Sequence, residues 1–260
     1  MHCAYLTDLH LGADGQGWCQ QPRGPQGMSK LWDALRHWLA QHQVSQLLLG
    51  GDLTEHGSPE QIAQVTRELD ALGIPCLLVL GNHDLMQPSA RANWRAAVIS
   101  TRHLQMAPAV VQQGDWNIIA VDHPWQTATG PSFHWDKSAG SPVAAVTTQE
   151  LDFLDTALQQ AGTRPCAILL HAPLDGLPLQ LTGRDQTLHA EPATYTQPLI
   201  RLLDTHPNAR LVLTGHCHAH AATAHGHWWH LSSSAWSEVP FQVRLLELRG
   251  RGMYLTTHAL

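Results

Sequence analysis

Apolar residues come in two rhythms along most of this 260-residue chain. Short uninterrupted apolar runs fall at His2–Thr7, Ser45–Gly50, Cys76–Leu80, Asn117–Asp122, Cys166–His171 and Arg210–Thr214, and read as strands buried on both faces. Between them, Ser29–His42, Pro59–Leu72, Thr147–Ala161 and Thr194–His206 space their apolar residues as an amphipathic helix does. Ser58-Pro59 is a helix start, a capping hydroxyl followed by the one residue whose missing N–H costs nothing there. The alternation predicts an α/β fold in one domain, residues 1–260. Beyond Gly215 the rhythm becomes strand and turn only, at His218–Thr223, His227–Ser232, Gln242–Leu248 and Gly252–His258, which predicts a second, antiparallel sheet closing the fold. Gly12–Gln26, Pro124–Pro142 and Ala172–Pro192 fit neither rhythm and are expected to be irregular loops.

Composition narrows the function. A net charge of -6, with only Lys30 and Lys137 as lysines, disfavours a protein that tracks a nucleic-acid backbone. Five cysteines, widely spaced and with no CxxC pair, offer neither a disulfide framework nor a thiolate zinc site and point to a reducing compartment. No apolar stretch is long enough to span a membrane and no signal-peptide pattern opens the chain, so a cytoplasmic location is expected. Histidine is the outlier, with 19 copies against 15 Lys plus Arg, and imidazole is the commonest metal ligand.

Ligands of α/β sheets bind beyond the carboxyl ends of the strands. Asp8-Leu9-His10, Gly51-Asp52, Gly81-Asn82-His83-Asp84, His171 and Gly215-His216-Cys217-His218 stand at those ends. In Asp-x-His and His-x-His an extended backbone turns both side chains to one side. The neighbouring glycines let the chain approach an ion closely. Each piece alone is commonplace: an isolated Asp-x-His is more often a turn with a half-exposed histidine. All five at strand ends in this order are not.

The series resembles the signature of the calcineurin-like metallophosphoesterases, and it spans Asp8 to His218. That resemblance implies a four-layer α/β/β/α sandwich of two mixed sheets flanked by helices, with the metal site at the strand ends. It implies two divalent or trivalent ions, Fe, Mn, Zn or Co. Asp8, His10 and His218 would hold one, Asn82, His171 and His216 the other, and Asp52 would bridge both. His83 would face the substrate phosphate and Asp84 would orient His83, making these two the catalytic pair. The implied reaction is in-line attack on a phosphate ester by a hydroxide bridging the metals.

Asp52-Leu53-Thr54-Glu55 lacks the arginine of the family's protein phosphatases. Thr7-Asp8-Leu9-His10-Leu11 is similar to the branch of cyclic-nucleotide phosphodiesterases and glycerophosphodiesterases. A small anionic phosphodiester is therefore the expected substrate, with a phosphomonoesterase, a nuclease or nucleotide pyrophosphatase, and a non-enzymatic metal binder as the alternatives. His171-Ala172-Pro173 departs from relatives that carry a second histidine there. Trp125, Phe133, Trp135 and Arg184 lie on loops that could overhang the site, and His83, Trp125 and Arg184 are the candidate substrate contacts. His220, His225, His227 and His230 straddle a hairpin at Gly226 that is expected to split them between two faces, so they read as surface or core residues, as do His56 and His123. A homo-oligomer is left open.

Overall fold

The computed structural model describes residues 1–13, 28–140 and 142–260, so most of the expected 12–26 loop lies outside the described residues. In chain order the elements are β1 (His2–Leu6), α1 (Met28–Gln41), β2 (Gln46–Leu49), α2 (Pro59–Asp70), β3 (Cys76–Leu78), α3 (Ala90–Ile99) and β4 (Leu104–Met106). Then come β5 (Ala109–Gln113), β6 (Trp116–Ala120), β7 (Trp125–Thr127), β8 (Gly130–Ser132), α4 (Thr148–Ala161), β9 (Cys166–Leu169) and α5 (Leu179–Thr182). The chain ends with α6 (Ala193–Thr205), β10 (Ala209–Thr214), β11 (Ala221–His225), β12 (Trp228–Ser232), β13 (Gln242–Arg249) and β14 (Gly252–Ala259).

Two mixed six-stranded sheets carry the fold, in the orders β14-β13-β1-β2-β3-β4 and β11-β12-β10-β9-β6-β5. The all-apolar strands are explained by what covers each face. Cys3 and Tyr5 of β1, with Leu48 and Leu77, join Ile118, Ala120, Ala167, Leu169, Leu211 and Leu213 of the other sheet in one buried cluster. The alternate residues Ala4, Leu6, Leu47, Leu49 and Leu78 belong instead to the cluster that includes the helices. Sheet thus packs on sheet, and helices cover the outsides, as the resemblance implied. Helix α1 supplies Leu31, Trp32, Leu35, Trp38 and Leu39 to this packing. The Ser58 hydroxyl accepts from Gln61 N–H at the start of α2, and Thr147 and Glu150 form a capping box on α4.

The C-terminal strands correct the expectation of a separate antiparallel sheet. The β11–β12 hairpin adds to β10, with β12 parallel to it, while the β13–β14 hairpin adds antiparallel to β1. Each hairpin covers a strand edge that would otherwise leave a row of unpaired N–H and C=O groups. None of the described helices is long and apolar enough to cross a membrane.

Candidate metal centre

The five motifs converge beyond the carboxyl ends of β1, β2, β3, β9 and β10, but not through extended backbone. Asp8 (φ 55°), His10 (46°), Asp52 (50°), His216 (67°) and His218 (50°) are all left-handed. With His189 they make six of the eight described non-glycine residues at positive φ, the others being Gln43 and Phe241. Left-handed turns, rather than a pleated strand, bring the i and i+2 side chains together. This corrects the extended reading and explains why β11 begins only at Ala221. Such conformations cost about 1–3 kcal/mol each and persist where the surroundings over-determine them. Here the loop after β1 stays zipped to the loop after β2, with Asp8 N–H donating to Gly51 O (2.9 Å), His10 N–H to Asp52 O (2.9 Å) and Leu11 N–H to Leu53 O (3.1 Å). Gly81 and Gly215 are needed for space: a Cβ would strike the Asp52 carboxylate at one and the Thr7 hydroxyl at the other.

All seven expected ligands meet. Asp8, His10 and His218 form one group, and Asp52, His171 and His216 a second, each with its donor atoms within 4.8 Å of one another. Nε2 of His10 lies 3.1 Å from Nε2 of His218, which is 3.3 Å from Asp8 Oδ1. Asn82 Oδ1 sits 3.1 Å from His216 Nδ1 and 3.3 Å from His171 Nε2. Asp52 Oδ2 stands between the groups, 3.4 Å from His171 Nε2 and 3.9 Å from His10 Nε2.

The far side of each imidazole tests whether metal fits. His10 Nδ1 pairs with Glu55 Oε2 (2.8 Å), His218 Nδ1 with Glu238 Oε1 (2.9 Å) and His171 Nδ1 with Gly50 O (2.7 Å). His216 is turned round: Nδ1 faces inward and Nε2 lies 3.6 Å from Glu191 Oε1. His10, His218 and His171 therefore each have an outer acceptor to hold the N–H and fix the tautomer, leaving the other nitrogen's lone pair for a cation, while Glu191 faces His216 at more than hydrogen-bond distance. Glu55, Glu191 and Glu238 were not singled out from sequence, and only Glu55, three residues after Asp52, carried any positional signal. The inward set is nitrogen and oxygen without thiolate. Cys217 is fully buried, and burial together with the charges of Asp8 and Glu191 pushes its thiol well above the usual range.

Charge is balanced by protons in this arrangement. Burial alone would deprotonate His171, but the charge of Asp52 and their hydrogen bond push it up to about 9. Burial is likewise outweighed at His218, where Asp8 and Glu238 push it up to about 10. Burial keeps His10 and His216 below their ordinary value. Asp52, although buried, is held well below the usual carboxylate range by His171 and His83. Asp52, Asp8 and Glu238 thus favour a proton on His171 and on His218, and a cation bound there would displace it.

His83 is not in the inner groups of ligands around Asp52. Its N–H donates to Asp52 Oδ1 (2.9 Å), its Nδ1 lies 2.9 Å from Glu55 O and 3.6 Å from Glu55 Oε1, and its side chain is 25% exposed. The ring meets His10 edge-on at 4.6 Å and stacks near Trp135 at 6.0 Å. Asp84 does not orient it, which corrects the expected role. The buried Asp84 carboxylate accepts from Leu53 N–H (3.1 Å), Thr54 N–H (2.8 Å), Thr54 Oγ1 (2.8 Å) and Gly81 N–H (3.0 Å), stapling two motif loops together. Burial and the nearby Asp52 charge push it up to about 6 against those donors. Glu55 takes the orienting position at His83.

Trp125 is no overhanging loop residue. It is buried at the start of β7, 5.9 Å from the His216 ring, and its indole N–H has no partner among the described residues. Arg184 is exposed. Phe133 packs under the Arg91 guanidinium. His123 is buried between Trp125 and Tyr195, accepts from Ala172 N–H (3.2 Å) and is pulled down to about 3 by burial, so it braces the backbone beside His171. His56 is exposed. His225 and His230 share a face rather than being split, since both reach Asp175 Oδ2 at 2.8 Å. His220 pairs with Gln242 (2.7 Å) and His227 with His206 O (3.0 Å).

The model of the calcineurin-like phosphoesterase family matches residues 1–220. A probable cyclic nucleotide phosphodiesterase of Synechococcus sp. is 29% identical over 219 residues, covering 83% of this chain and 72% of that protein. The 3',5'-cyclic adenosine monophosphate phosphodiesterase CpdA of Pseudomonas aeruginosa is 24% identical over 178 residues, covering 68% and 56%. Among solved structures, a dimetal phosphatase from Danio rerio superposes with a TM-score of 0.74 over 99% of this chain and 96% of its own, at 14% identity, a likeness of fold alone.

Proposed function

The chain belongs to the calcineurin-like phosphoesterase family, and from that premise we propose that it is a dinuclear-metal hydrolase of small phosphodiesters, with cyclic nucleotides and glycerophosphodiesters as the leading substrate classes. One observation carries the dinuclear part. Four imidazoles around a shared Asp52 each turn one ring nitrogen inward, and three of them, His10, His218 and His171, have the other nitrogen hydrogen-bonded to an outer acceptor while that of His216 faces Glu191 at 3.6 Å. Asp8, His10, Asp52 and His218 would hold one ion, and Asp52, Asn82, His171 and His216 the other. When bound, such a pair supplies Lewis acidity: it draws charge from phosphate oxygens and makes water acidic near neutral pH.

The remaining work falls to this chain's own groups. Two dipositive ions with the carboxylates of Asp8 and Asp52 would make an inner set of charge about +2, a positive face for an anionic ester. His83 stands at the lip with Nδ1 turned to Glu55, so Nε2 is the atom presented to substrate, able to bond a phosphate oxygen or pass a proton to the leaving alkoxide. Trp135 lies near-parallel to the same ring, with centroids 6.0 Å apart. The preference for diesters rests on the names of the relatives, which are cyclic nucleotide phosphodiesterases.

The test is an activity panel with protein loaded with Mn, Zn, Fe or Co. Cyclic AMP, a glycerophosphodiester and bis(p-nitrophenyl) phosphate are compared with a phosphomonoester. Diesters are expected to be turned over best. A monoester preferred to every diester overturns the diesterase reading and leaves the metal assignment standing.

A further inference from the structure

His83 approaches the ligand set from the His10 side. A second imidazole that belongs to neither group of ligands stands beside His216, and nothing so far gives it a role. His189 meets His216 edge-on, with ring centroids 5.3 Å apart and planes at 84°. It is half-buried.

Its placement is built. The loop that carries it is pinched shut just before it, where Leu177 N–H donates to Leu188 O (2.8 Å). At Gly176 a Cβ would lie 2.8 Å from Leu188 O, so the returning chain rests directly on that glycine. Two residues later Glu191 Oε2 accepts from Ala144 N–H (2.8 Å), while Oε1 faces His216. Between these anchors His189 is held at φ 51°, a conformation that glycine or asparagine adopts more cheaply. Strained non-glycine backbone fixed from both ends, beside five ligand residues in the same state, marks a position where the side chain is used.

Resting on the phosphoesterase reading above, we propose that His189 is a substrate-contacting residue. Its imidazole N–H bonds a phosphate oxygen of the ester from the His216 side. A transition state that spreads charge over several phosphoryl oxygens is served by donors on two sides, and the pair His83 and His189 provides one for each half of the centre.

The experiment measures binding of inorganic phosphate to Mn-loaded protein by calorimetry, with metal content determined on the same samples. The variants are His189→Ala, His189→Gly, which relieves the backbone, and His189→Asn, which tolerates the backbone and keeps an N–H donor. Phosphate affinity is expected to fall about tenfold in the Ala and Gly variants, the size of one hydrogen bond to a charged group. Metal content should be unchanged, and Asn should restore part of the loss. Affinity within twofold of wild type in both variants, a loss that tracks metal content, or no phosphate binding by the wild type overturns the proposal. If the wild type binds phosphate through His189 yet hydrolyses no ester, the enzymatic reading fails and the contact stands.

Discussion

Glu55 touches both kinds of functional histidine, so removing it should produce two separable defects. Its carboxylate holds His10 Nδ1 at 2.8 Å and reaches His83 Nδ1 at 3.6 Å, while its carbonyl lies 2.9 Å from the same His83 nitrogen. Glu55→Ala keeps the carbonyl but frees the His10 ring to rotate and to change tautomer. Loss of an outer carboxylate of this kind costs about 10–100-fold in metal affinity or activity, or roughly 1.4–2.8 kcal/mol. The loss should fall on the ion held by Asp8, His10 and His218, giving a weakened site beside one that fills normally in a calorimetric Mn titration. Saturating metal then restores occupancy but not full turnover, because His83 has also lost a carboxylate neighbour. Glu55→Gln keeps an oxygen for the His10 N–H without the charge and should lie between Ala and wild type in both assays. A Glu55→Ala protein with unchanged metal affinity and kcat within twofold of wild type would refute the outer-ligand argument, for Glu55 and by extension for Glu191 and Glu238.

Three further outcomes follow from the same geometry. His83→Ala should keep both ions, measured by metal analysis, and lose about 10²–10⁴-fold in kcat, the range of a positioned acid or hydrogen-bond donor; full activity would remove His83 from the chemistry. Asp84→Asn puts an amide donor against four existing donors and should cost about 2–3 kcal/mol, seen as a melting temperature lower by roughly 5–10 °C, whereas a role confined to orienting His83 predicts unchanged melting and a fall in kcat alone. Because the metal-free site holds protons at His171 and His218, raised to about 9 and 10, both are present below those values, and cations must displace them as pH falls. Mn or Zn binding should therefore release protons and weaken from pH 8 to pH 6, read by calorimetry in buffers of different ionisation enthalpy. Binding with no proton release over that range contradicts the charge balance argued for the site.

What the sequence made legible was local chemistry. Six strands were readable because each is apolar on both faces, and each face is covered by the other sheet or by helices. The seven ligand-type residues were readable because Asp, Asn and His at strand ends are uncommon together. Three things were not. An Asp-x-His spacing is the same in pleated and in left-handed backbone, so the turns at Asp8, His10, His216 and His218 left no mark on it. Asp84 follows His83 directly, yet its carboxylate points back to residues 53, 54 and 81, because adjacency along a chain does not set side-chain contact. Glu191 and Glu238 come from remote segments, and an isolated glutamate looks like surface until the fold buries it beside an imidazole. The C-terminal hairpins were seen as strands but given the wrong partners, since pairing to β10 and β1 is decided by which edges remain open.

Strain and coordination in this centre are two sides of one arrangement. Five of the seven candidate ligand residues sit in left-handed backbone, at about 1–3 kcal/mol apiece. That cost is offset by groups that never face the cleft: the four hydrogen bonds of Asp84, the zipped loops after β1 and β2, and the His216 N–H that reaches the Asp8 carboxylate at 3.1 Å. The same contacts decide where the lone pairs point, because an imidazole fixed by an outer carboxylate on a fixed backbone has no freedom left to miss a shared ion. A ligand that binds only the folded state stabilises it in proportion to the logarithm of its saturation. Ions in this centre would therefore reinforce the loops that present their own ligands. The histidine excess in the sequence divides accordingly: four rings at the inner groups, His83 beside His10 and His189 beside His216, and others that brace the fold, as at His123 beside His171 and at His225 and His230 on Asp175.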